Sequence, residues 1–183
     1  MKKTILSALG LAVALAVARD LAPTVGAMVR GLRLAFFNVE EWALTGSAHY
    51  VGGLSAAERD GIALNVNLDS VAGGRRLTAL TSGFAGLEPF LLDQAADAGV
   101  PLGLFRPLQM NSDHGNFALA GIPAFRLVTG FDDPGAATRF VLTPEDGRDK
   151  VTADELATAA RLVTAIVRAA LDAAPEDAAA WRR

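Results

Sequence analysis

Cysteine is absent from this chain, which excludes disulfides, thiolate zinc sites and a cysteine nucleophile. Histidine is scarce, with two in the sequence, so any bound metal must rely on carboxylates with little help from imidazole. A basic excess is also missing. The 17 Lys and Arg residues are outnumbered by 20 Asp and Glu, giving a formal charge of -3, and no cationic stripe is present to track nucleic acid. The apolar run over residues 4–18 falls short of the roughly 20 residues that span a bilayer. What the chain does have is a hydrophobic fraction of 51% over 183 residues, enough for one domain with a substantial core.

The first 22 residues admit two readings. Met1-Lys2-Lys3, an apolar middle and Ala16-Val17-Ala18 have the order of a secretory signal. The same pattern continues through Asp20-Leu21-Ala22 to Pro23, as in a buried helix that stops where proline cannot continue it. Export to the periplasm or medium follows from the first reading, a cytoplasmic protein from the second. Beyond this segment we expect one α/β domain over residues 23–173 and a frayed tail over 174–183, where the Ala-rich pattern is weak.

Short apolar runs bounded by Gly, Pro, Asn or Asp predict strands at residues 31–38, 61–68, 77–81, 102–108 and 124–128. Most are continuous rather than alternating, which implies cover on both faces. Helices are expected at residues 87–98, 113–120 and 152–171. The last has Thr152 as N-cap, Asp154 and Glu155 in its first turn, and Leu156, Ala160, Val163, Val167 and Leu171 near a 3.6-residue period. The fold class is therefore α/β, a three-layer α-β-α sandwich on a mostly parallel mixed sheet.

Three segments carry residue types suited to chemistry. Glu40-Glu41 follows the apolar run 32–39 directly, and ligands of open α/β sheets collect where strands end. Two carboxylates there can divide the roles of general base and metal ligand, or simply solvate a strand end. Asn65-Val66-Asn67-Leu68-Asp69 brings a further carboxylate to a strand end; if the two strands are parallel neighbours, Glu41 and Asp69 meet at one edge. Asn111-Ser112-Asp113-His114 places an Asp-His pair at a helix start, where it could also serve as an N-cap with a satisfied imidazole. Ser47, His49 and Asp69 supply the residue types of a nucleophilic triad, but no Gly-x-Ser-x-Gly elbow presents the serine.

Taken in order, Phe-Phe-x-x-Glu-Glu-x-x-Leu-x-Gly-Ser-x-x-Tyr, Asn-Leu-Asp and Ser-Asp-His-x-x-Phe-x-x-x-Gly-Ile-Pro resemble the zinc-dependent aminopeptidases of metallopeptidase family twenty-eight. That family includes bacterial leucyl aminopeptidases, glutamate carboxypeptidase-like enzymes and glutaminyl cyclases. The resemblance covers residues 11–171 and implies a zinc exopeptidase-like fold. It also implies aminopeptidase-type hydrolysis of peptides, with zinc as cofactor. Glu40 would take a proton from a metal-activated water, Glu41 and Asp69 would bind metal, and Asp113 and His114 would stand on the wall of the substrate cleft.

The chain also departs from the family pattern. The family takes a histidine and a bridging aspartate from a segment upstream of the helix at residues 11–22, and these have no counterpart in the sequence. A further histidine belongs to a Tyr-His-Thr segment near the end, where Leu142 stands; leucine cannot bind zinc. The sequence thus reads as the C-terminal portion of a catalytic domain with an incomplete metal site, or else as a non-catalytic peptidase-like binding domain.

Overall fold

The structure, a computed structural model, describes residues 5–183; the charged start Met1-Lys2-Lys3 lies outside them. Four short strands form the central sheet: β1 (Asn65–Leu68), β2 (Leu77–Leu80), β3 (Leu102–Phe105) and β4 (Ala124–Thr129). Their order is β1-β4-β2-β3, with β1/β4 and β2/β3 parallel and β2/β4 antiparallel. Side chains alternate across a strand, so Phe125 and Leu127 of β4 enter the larger core while Ala124 faces the smaller one.

The larger core lies under three helices. α1 (Ile5–Leu21) buries Val13, Val17 and Leu21, a four-residue spacing that keeps one stripe on the sheet side. At Gly10 its backbone meets β1 so closely that a methyl group would sit 1.9 Å from the Leu68 carbonyl oxygen. For the other two, α4 (Leu87–Asp97) contributes Leu87, Leu91 and Ala95, and α6 (Ala153–Asp172) contributes Leu162, Val163, Ile166 and Val167. The expected Thr152 cap is present as a capping box: Thr152 Oγ1 accepts from the Glu155 amide and the Glu155 carboxylate accepts from the Thr152 amide.

On the opposite face α2 (Thr45–Gly53) and α5 (His114–Leu119) bury Val51, Leu54 and Phe117 against Ile122 and Ala124. The three-layer α/β expectation therefore holds, with a mixed sheet. None of the described helices is long and apolar enough to cross a membrane.

Several expectations are corrected. Residues 31–38 form no strand. Hydrophobicity alone suggested one, but a strand needs a hydrogen-bonding neighbour, and this segment is held by side chains instead. Arg33 donates to the Tyr50 hydroxyl at 2.6 Å, and the Phe37 ring packs on Tyr50 and Phe117. Leu34 and Phe36 remain 41% and 57% exposed. The strand expected over 61–68 is shortened to Asn65–Leu68, and α3 (Ala56–Gly61) lies just before it, started by a capping box of Ser55 and Glu58.

The tail does not fray either. Pro175–Ala180 forms α7, and Trp181 is 3% exposed, stacked on Phe90 with ring centroids 4.5 Å apart. Arg182 then donates to the carbonyls of Gly121, Asp60 and Ile62, closing the end of α3. One buried aromatic and one multidentate arginine outweigh the weak helical pattern.

At the start of α4, Arg106 grips Glu88 through two nitrogens, and the Thr81 hydroxyl donates to the same carboxylate at 3.0 Å. The Arg106 hydrogen bond is the main reason the Glu88 carboxyl lies below its ordinary range, with Thr81 adding to it against the cost of burial. A depressed carboxylate contributes stability above the ordinary carboxylate range and loses it as pH falls through the folded-state value. Glu88→Gln should therefore melt a few degrees below wild type at pH 7. The gap should narrow progressively in thermal melts taken below the ordinary carboxylate range.

Candidate active site

The sequence-predicted acids come together although their carrier segments are not neighbouring strands. Glu40, Glu41, Asp69 and Asp113 all line one cavity of about 880 Å³. Its walls are α1, the extended segment 31–37, the open edge of β1 and Ser112-Asp113. The size suits a small ligand or a few residues of peptide.

The turn that presents Glu40 and Glu41 is strained. Val39 (φ 60°), Ala43 (φ 61°) and Leu44 (φ 55°) all adopt left-handed backbone without being glycine, and Ser70, directly after Asp69, does so at φ 57°. L residues pay for this conformation, β-branched valine most of all. The next turn is held from outside. At Gly46 a methyl group would sit 2.3 Å from the Asn38 carbonyl oxygen, and the Asn116 amide of α5 donates to the Leu44 carbonyl at 3.1 Å and to Ser47 Oγ at 2.9 Å.

Charge crowding sets the electrostatics. The Glu40 carboxyl is pushed up to about 7, first by burial, then by the negative charges of Asp69, Glu41 and Asp113, with Arg126 opposing. Burial also raises the Asp113 carboxyl, with the nearby Ser47 hydroxyl opposing this and the Asp69 charge adding to it. Asp113 makes no N-cap bond to α5, and its Oδ1 is buried with no hydrogen-bond partner.

Of the two histidines, His49 is exposed on α2. His114 is fully buried and is not among the residues lining the cavity. Neither of its ring nitrogens has a hydrogen-bond partner, so the satisfied imidazole of the capping alternative is not found. Burial and then the nearby Arg126 charge lower its pKa to about 4, leaving it neutral at pH 7. Leu142 is 41% exposed and also lies outside the cavity lining.

Arg126 is the residue that sequence reasoning missed. Its Nη2 lies 3.0 Å from Asp69 Oδ2, with side chains only 12% and 18% exposed, and its Nη1 donates to the Asn111 carbonyl at 3.1 Å. The signal was available: a lone arginine inside the apolar run Ala124-Phe125-Arg126-Leu127-Val128 has to find a partner.

The chain matches the family model described as Peptidase family M28 over residues 7–167. The chain belongs to this family. Aminopeptidase YwaD of Bacillus subtilis is 30% identical over 142 residues, 74% of this chain and 31% of that protein. Leupeptin-inactivating enzyme 1 of Streptomyces exfoliatus is 34% identical over 127 residues, 69% of this chain and 28% of its own length. Among solved structures, BSAP, a zinc aminopeptidase from Bacillus subtilis, superposes with a TM-score of 0.65 at 29% identity, covering 74% of this chain and 36% of that one. LapB from Legionella pneumophila shares the fold with a TM-score of 0.72 at 20% identity, covering 91% and 46%. The M28 chain described here thus spans about a third of the curated relatives it matches.

The strain in the Glu40-Glu41 turn is testable at Ala43, which is exposed. Ala43→Gly removes the steric penalty at φ 61° with little packing to lose. It should stabilise the protein by about 1 kcal/mol in denaturant unfolding, where the same change in an ordinary exposed helix would destabilise it.

Proposed function

We propose that this M28 chain is a zinc metallopeptidase-like domain of aminopeptidase type, with Glu40 as general base and Glu41 and Asp69 as its metal-facing carboxylates. The observation that carries this reading is the lining of one cavity by four acids, with the Glu40 proton held near neutrality. A general base works best when its pKa lies close to the operating pH. From hydrogen-bond reach, Glu40 takes a proton from a water attacking the peptide carbonyl and returns it to the departing amine as the C–N bond breaks. The surrounding carboxylates also favour a cationic group, such as a free peptide N-terminus, over an acidic chain end.

The donor set does not by itself fit a catalytic zinc. Such sites take about three protein ligands, whereas among the described residues no group of three or more His, Asp or Glu side chains converges to hold a metal. Asp69 is moreover engaged by Arg126. The same two observations favour a second reading, a peptidase-like binding domain that keeps the cleft and takes up peptide without cutting it.

Hydrolysis of a panel of amino-acid amides, assayed alongside zinc content, separates the readings. Glu40→Gln should lower kcat by about 10²- to 10⁴-fold while circular dichroism stays native. A wild-type protein that remains inactive with added zinc but retains peptide binding supports the second reading; equal activity in Glu40→Gln overturns the first.

A further inference from the structure

β4 is buried along its length except at Arg126, which is partly exposed. The parallel register sets Arg126 opposite Asn67 of β1. Alternation then puts it on the same face of the sheet as Asn65, Asn67 and Asp69. A guanidinium in so apolar a strand is costly unless paired and hydrogen-bonded. It is paired to Asp69 and bonded to the Asn111 carbonyl, while its Nε is buried with no partner. Its charge also reaches Glu40. Arg126 thus supplies positive charge to a cavity lined by Glu40, Glu41, Asp69 and Asp113, the service a divalent ion renders to crowded carboxylates.

We propose that Arg126 is a built-in counter-cation of the acidic cluster, holding Asp69 in the metal-free protein and competing with a divalent metal ion for that carboxylate. The inference rests on the reading of Asp69 as a metal-facing residue. A metal taking Asp69 Oδ2 must displace the guanidinium or bear its repulsion, because both are cations and one oxygen is already occupied at 3.0 Å. Arg126 is accordingly a positioning residue. It sets the orientation of Asp69 and raises the metal concentration at which that carboxylate changes partner.

Titration of the full chain with zinc chloride, followed by calorimetry and thermal melting, tests this. Arg126→Met keeps much of the side-chain length and removes the charge. Its metal-free form should melt below wild type, because the half-buried Asp69 loses its ion pair and keeps only the hydrogen bond from the Ser70 hydroxyl. It should bind zinc at least about tenfold more tightly, a gain of about 1.4 kcal/mol, and recover stability when zinc is added. A merely structural arginine would not raise metal affinity on removal. If Arg126→Met does not fold, Arg126→Lys serves: one ammonium cannot reproduce the fork to both Asp69 and Asn111, and zinc should bind a few-fold more tightly than in wild type. Zinc binding no tighter than wild type in the folded variant, or absent from both, overturns the proposal. Asp69→Asn in the wild-type background separates the two ideas. Unchanged zinc binding there defeats the metal-facing role of Asp69, whereas lost binding beside an unaltered Arg126→Met defeats the counter-cation alone.

Discussion

Like charges gathered at a half-buried sheet edge are the constraint on which the rest of this structure turns. Four carboxylates line one cavity, and burial pushes the carboxyls of Glu40 and Asp113 up from their ordinary range. The molecule answers in two ways. One acid, Glu40, keeps its proton up to about pH 7, which removes a charge from the group. Another, Asp69, is matched by Arg126 from the adjacent strand. Both answers depend on the alternation of β1 and β4. Apolar side chains on one face build the core under α1, α4 and α6, so the opposite face is free to carry Asn65, Asn67, Asp69 and Arg126.

The larger core is what makes the polar face affordable. Val13, Val17 and Leu21 of α1 interlock with α6 over the sheet, and Gly10 lets α1 approach β1 beside Leu68, one residue before Asp69. A helix at ordinary distance would leave the β1 end less firmly fixed. The open edge of β1 is different in character. Segment 31–37 runs along the cavity without joining the sheet, tethered through Arg33, Phe37 and Tyr50. The gap between it and β1 is the cavity itself, so the missing strand and the binding volume are one structural fact.

Much of this was legible in the sequence, for reasons that differ by element. α6 could be read because its period, its Thr152 cap and its acidic first turn all agree. The strands β2, β3 and β4 were legible as apolar runs between turn residues. Residues 31–38 were not, because hydrophobicity reports a preference for burial and says nothing about which backbone is free to pair. The site acids were found as residue types at element ends, but the route by which Glu41 and Asp69 meet was wrong. Shared lining of a cavity brings them together, rather than adjacent strands. The α7 end was hidden because its stability comes from distant contacts, Trp181 on Phe90 and Arg182 on the carbonyls of Arg59, Asp60, Ile62 and Gly121.

Strain follows the same geography as charge. Val39, Ala43 and Leu44 bracket Glu40 and Glu41 in left-handed backbone, and Ser70 stands in the same conformation after Asp69. Val39 and Ser70 each adjoin a carboxylate, Glu40 and Asp69, so their backbone angles help to set where those side chains lie. The energy for holding these turns comes from outside them: Gly46 seated on the Asn38 carbonyl, Asn116 bonded to Leu44 and Ser47, and Thr129 donating to the Ser70 carbonyl at 2.9 Å. Each support is a backbone contact or an uncharged hydrogen bond. They hold the geometry without adding charge to the cluster, so its electrostatic balance is left to Glu40's proton and to Arg126.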